Sequence, residues 1–174
     1  MLGIGHQSLS TGIGILIASV MIVAGVPLLG LAAGFVIVSA ARIPDADRNL
    51  PFATHRGRLH SLGGAVAFGL CYGVFYSVVG LLLSDIIPAT WNPVGEFFIP
   101  VLAITGFLAG TVGVAIHLAA DVVSKQGIPV LWPLRSETYA LEWTTAASNR
   151  LNTLGMLIGG AAGLSGVGLV LMTL

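Results

Sequence analysis

The stretch HRGRLHS, residues 55–61, sets two histidines and two arginines within seven residues of a chain that is otherwise mostly apolar. Two other stretches carry matching chemistry. PDADRN, residues 44–49, offers Asp45 and Asp47 beside Arg48, and HLAAD, residues 117–121, offers His117 and Asp121. The latter pair is four residues apart, so a helix presents both on one face. His6 completes the four histidines. Imidazole nitrogen with carboxylate oxygen, and no thiolate, suits Zn²⁺, with Mn²⁺ or Fe²⁺ as alternatives. The set His6, Asp45, Asp47, His55, His60, His117 and Asp121 exceeds the four ligands of one tetrahedral ion, so one to three ions fit. Paired ions ~3.5–4 Å apart activate water and hold both oxygens of a displacement. Arg56 and Arg58 suit an anionic group, because guanidinium matches phosphate geometry. Taken singly, each group has a plainer reading: a hydrogen-bonded interfacial histidine, a solvated Asp/Arg loop, or arginines anchoring one membrane face. A His–Asp pair inside a membrane helix is harder to dismiss, since ionisable groups there are costly without a partner or a polar cavity.

The elements that would gather these groups are membrane helices. Of 174 residues, 56% are hydrophobic and 8% charged, against roughly 25% charged in soluble domains. Only an integral membrane protein fits that balance. Zero net charge argues against a nucleic-acid partner held by a basic face. Cys71 has no second cysteine to pair with and reads as a small buried apolar residue. Residues 1–11 contain no Lys or Arg, so no basic signal-peptide region is expected and the first apolar segment is retained.

A span needs about 20 apolar residues for a ~30 Å core. Residues 61–83, 99–120 (continuing helically to 124) and 151–173 qualify. Residues 12–41 are too long for one helix, and Gly25 and Pro27 interrupt them. They read as a hairpin of helices 6–24 and 28–41, the second only ~21 Å long, which leaves its full crossing open. The expectation is an all-α, polytopic membrane bundle of about five helices, one integral-membrane domain over 1–174. Arg42, Arg48, Arg56, Arg58, Lys125, Arg135 and Arg150 then share one side, and the opposite loop, 84–98, holds only Asp85 and Glu96. The positive-inside rule makes the basic side cytoplasmic, in the cell's inner membrane, with the N-terminus in and the C-terminus out. All seven candidate ligands lie at that end. Gly155, Gly159 and Gly163 form a small-xxx-small series that suits tight packing within one bundle, or a dimer face.

These motifs together resemble the YdjM-like family of membrane-bound metal-dependent hydrolases, over residues 1 to about 152. That pattern runs as an N-terminal polar–His, PDxDH, HRGxTHS and HxxxDxxTxxGxxLLWPL. It stands here as His6, PDADR, HRGRLHS and HLAADVVSKQGIPVLWPL. The resemblance implies that His6, Asp45, Asp47, His55, His60, His117 and Asp121 are metal ligands. The tail YALEWTTAASNRLN looks like that of some members and implies that Asn149 and Asn152 point toward the site. The chain departs from the pattern at Leu59 (for Thr), Arg48 (for His) and Ser124 (for Thr). The family is in turn similar to zinc-dependent phospholipase C and the P1-type nucleases. That implies hydrolysis of a phosphoester, a membrane lipid or small molecule, with Arg56 holding its anionic oxygens and Asp47 or Asp121 ligating or orienting. Three other readings use the same residues: a metal transporter or sensor, a haem protein with His6 and His117 as axial ligands, and a scaffold whose site has decayed at Leu59 and Arg48.

Overall fold

The computed structural model describes residues 3–49, 51, 54–88, 94–143, 145 and 148–173. Residues 89–93 of the loop 84–98, and 144, 146 and 147 of the tail motif, lie outside the described residues. Among the described residues five helices form: α1 (Gly3–Val23), α2 (Pro27–Ala40), α3 (Leu62–Leu83), α4 (Phe98–Val122) and α5 (Asn149–Leu171). Short 3-10 turns lie at Pro44–Asn49 and Gly95–Phe97. Four helices are long and apolar enough to cross a membrane, and Pro27–Ala40 is the short fifth. This is the expected all-α membrane bundle, hairpin included. Gly25, at φ 83, takes a left-handed turn that side chains resist, and Pro27 opens α2 where its missing N–H costs nothing. Ser61 caps α3, its Oγ accepting from Gly64 N at 3.0 Å.

The helices pack as a row, α5–α1–α2–α4–α3. Glycine sets the spacing. A Cβ on Gly34 would lie 2.9 Å from Gly14 O, and one on Gly106 would lie 2.8 Å from Tyr72 O. One on Gly12 would collide with Gly159 O. The inward face of α5 is Asn152, Gly155, Gly159, Gly163 and Gly166, so the glycine series packs within the bundle. Leu157 and Leu164 point outward. Lipid gives leucine no reason to turn inward, and close backbone packing takes over. Cys71 corrects its sequence reading for the same reason: it is exposed on the outer surface of α3.

α2 ends early. The register that pairs Gly14 with Gly34 and Ala18 with Gly30 brings Ala40 level with Ser8, short of the start of α1. Beyond it the turn Pro44–Asn49 buries Pro44 and Asp47. The start of α3 docks on the segment after α4: Leu62 N donates to Val130 O at 2.8 Å and Gly63 N to Trp132 O at 3.1 Å. A Cβ on Gly63 would sit 2.7 Å from Trp132 O, so glycine is needed there. The links α2–α3 and α4–α5 therefore share one end, and all seven basic residues lie in them or in the first turn of α5.

Candidate metal centre

Four segments meet at that end. α1 supplies His6, the turn Pro44–Asn49 supplies Asp45 and Asp47, residues 54–61 supply His55, Arg56 and His60, and α4 supplies His117 and Asp121. The approach of α4 to α2 depends on Gly113, whose Cβ would lie 2.6 Å from Ile37 O. One turn further on, His117 Nδ1 donates to Ala41 O at 2.8 Å. That carbonyl is one of those a helix end leaves free. The bond fixes the tautomer, so His117 Nε2 carries the lone pair.

His6, His60, His117, Asp47 and Asp121 are each 5% exposed or less. The His6 and His117 rings stack with centroids 4.4 Å apart, and His60 lies 5.3 Å from His117. Asp121 stands among them, Oδ1 3.4 Å from His6 Nε2 and Oδ2 3.3 Å from His117 Nε2 and 3.5 Å from His60 Nε2. Charge-assisted hydrogen bonds would close to ~2.7–2.9 Å. Ligands held ~2.0–2.2 Å from a tetrahedral ion stand about 3.4 Å from one another. Buried His6 Nδ1, His60 Nδ1 and Nε2, His117 Nε2 and Arg56 Nε have no hydrogen-bond partner among the described residues, where nearly all buried polar atoms are paired. Spacing, orphaned nitrogens and donor chemistry all fit a divalent cation.

Three overlapping ligand sets emerge: His6/His117/Asp121, Asp45/His60/His117 and Asp47/His55/His60, the ligand atoms of each within 4.8 Å of one another. His117 and His60 link them. Three carboxylates against the guanidiniums of Arg48 and Arg56 leave one negative charge while the imidazoles are neutral. Burial pushes His60 down to about 4, reinforced by His117 and opposed by Asp121, Asp47 and Asp45. At neutral pH its ring is uncharged.

His55 differs. Its side chain is 38% exposed, Nδ1 donates to Asp47 Oδ1 at 2.8 Å, and Nε2 accepts from Arg48 Nη2 at 3.2 Å. Both nitrogens are engaged, and the ring orients Asp47. The same Arg48 nitrogen lies 3.3 Å from Asp45 Oδ1, so a guanidinium joins the outer carboxylate and the outer imidazole.

Arg56 sits at φ 60, a left-handed conformation uncommon for a residue with a Cβ. It aims the backbone N–H at Asp47 Oδ2, 2.9 Å away, and the guanidinium at Ser124 Oγ (2.6 Å) and Asp121 Oδ1 (3.1 Å). Ser124 passes the contact on by donating to Asp121 O at 2.8 Å, so the hydroxyl at this position is put to use. Arg58 lies apart, its guanidinium 5.4 Å above the Trp132 ring. Asn152 is buried while Asn149 is exposed at the start of α5. Sequence reasoning missed the Ala41 carbonyl and the cap at Ser61. Only the cap had a signal, a serine just before an apolar run.

The fold and this cluster define a class: a polytopic membrane protein with a buried His/Asp centre at one end of its bundle. The match to a known family is to the YdjM inner membrane protein family, over residues 1–174, and the chain belongs to it. No curated protein and no solved structure matches.

Proposed function

We propose that the chain is a divalent-metal-dependent hydrolase that cleaves a phosphoester at the cytoplasmic face of the inner membrane. The carrying observation is that buried His60 Nε2 and His117 Nε2, without a hydrogen-bond partner among the described residues, stand 3.5 and 3.3 Å from Asp121 Oδ2. His6, His60, His117, Asp45 and Asp121 would hold Zn²⁺, or Mn²⁺ or Fe²⁺, which when bound supplies Lewis acidity and an activated water. The likeness to zinc-dependent phospholipase C that the sequence motifs imply favours phosphorus as the centre attacked. Water adds there, the P–O ester bond breaks, and the leaving oxygen takes up the proton. Arg56 Nε, buried and without a partner among the described residues, donates to an oxygen of the anionic group. Asp47 keeps the loop in register through His55 and the Arg56 backbone N–H. The seven basic residues on the site's side support the cytoplasmic orientation. Purified protein should contain metal and turn over bis(p-nitrophenyl) phosphate, and His60→Ala and Asp121→Ala should lose both. Wild-type turnover in both variants would sink the proposal.

A further inference from the structure

An open groove of about 610 Å³ runs between α1 and α5, within the ~300–1,000 Å³ typical of ligand sites. Ile15, Met156, Leu164 and Val167 form apolar walls, and Gly160 leaves room between them. From Ile4 to Ile15 the groove follows α1 for ~16 Å, about half of a ~30 Å hydrocarbon core and so the depth of one leaflet. Its polar end holds Gln7 and Arg42. These two residues also line a second cavity of about 130 Å³ with His6, Ala41, Asp45 and His117. The apolar groove thus opens, past one arginine, onto the candidate metal centre. Among the described residues Arg42 makes no ion pair, although a cation beside lipid attracts an anionic partner.

We infer that the groove binds a membrane phospholipid. One acyl chain lies between α1 and α5, the phosphate rests on Arg42, and the headgroup enters the cavity at His6 and His117. The inference rests on the hydrolase reading and names the substrate class of the same site. A leaflet-deep apolar slot with one unpaired cation at its mouth matches a lipid in length and in charge. The smaller cavity has room for about four waters, enough for a phosphate-sized group.

The test uses full-length protein in phosphatidylcholine nanodiscs with a trace of phosphatidic acid carrying a diazirine on one chain. Label should concentrate on groove residues such as Met156 and Leu164. Gly160→Leu fills the groove, and because a Cβ at Gly160 meets nothing within 4 Å the variant should keep the wild-type melting temperature. It should cut labelling about tenfold, and Arg42→Gln should do the same by removing one charged contact. Arg42→Gln should leave labelling by an uncharged diazirine diacylglycerol as in wild type. Label spread evenly onto the outward Leu81 and Leu82 of α3 and indifferent to both variants would overturn the inference. So would α5-to-α5 cross-links between two copies in place of lipid adducts. The hydrolase reading is judged separately, on metal content and on the water-soluble bis(p-nitrophenyl) phosphate. Turnover with even labelling removes the lipid inference alone; groove labelling without metal or turnover removes the hydrolase reading and leaves lipid binding standing.

Discussion

Replacing His117 with alanine tests the metal centre without reference to any substrate. His117 belongs to two of the three ligand sets, His6/His117/Asp121 and Asp45/His60/His117. An ion present at a hundredfold its Kd stabilises the folded state by ~2.7 kcal/mol. At ~2–4 °C per kcal/mol for a chain of this size, wild type should melt about 5–11 °C higher with saturating Zn²⁺ or Mn²⁺ than with chelator. The substitution has a cost that needs no metal: the Nδ1–H bond to Ala41 O and the ring stacked on His6 are both lost. Truncating a large buried side chain typically costs ~2–5 kcal/mol. The chelated variant therefore melts lower, and its absolute melting temperature decides nothing. The increment on adding metal is the readout, and it should fall close to zero. The Asp47/His55/His60 set remains, but its His55 is committed to Asp47 and Arg48. Differential scanning fluorimetry of detergent-purified protein, with and without chelator, measures all four melting temperatures. A full increment in the variant, or none in wild type with Zn²⁺, Mn²⁺ or Fe²⁺, refutes the reasoning.

Gly113→Val places branched carbon where a Cβ alone would lie 2.6 Å from Ile37 O; the overpacking should cost ~1–3 kcal/mol, read as a lower melting temperature even with chelator. His60, pushed down to about 4 by burial, protonates first in the unfolded chain as pH falls. Its contribution to stability is complete above ~6.5 and is lost from there down to about 4; chelated protein should lose stability across that window, and His60→Ala should flatten the slope. Arg48→Ala removes an exposed guanidinium that bridges Asp45 and His55. Melting without metal should change by less than about 1 kcal/mol, while bound metal per chain, measured by mass spectrometry, should rise as the outer ligands are released.

Much of this architecture is legible in the sequence because membrane spans are a matter of length and charge. Runs such as 61–83 declare themselves, and Gly25 with Pro27 marks the hairpin. The convergence of the candidate ligands followed from counting helices, since an even number of crossings between two polar segments returns them to the same side. What stayed hidden depends on facing. In α3 every face is apolar, so no periodicity separates the lipid side from the packed side, and Cys71 was misread. Glycine carries that information, as Gly64, Gly69, Gly73 and Gly80 show by being buried while the leucines of α3 point out. The details of the centre were hidden for another reason. The bond of His117 to a main-chain carbonyl, the left-handed turn at Arg56 and the contact of Arg48 with His55 are made across segments, and no spacing in the chain encodes them.

The shortness of α2 also bears on how the chain is made. Fourteen residues amount to ~21 Å of helix, too little to hold against a bilayer by themselves. Packed on α1 from Gly14 to Ala18, the segment is instead held by its neighbour, so the two must enter the membrane together as one unit. Ala41 then waits at the end of that unit until α4 has been synthesised and inserted beside it. His6 and His117 cannot stack before that moment. The cluster is thus closed by a late helix docking on an early hairpin, and its four segments come together only after insertion.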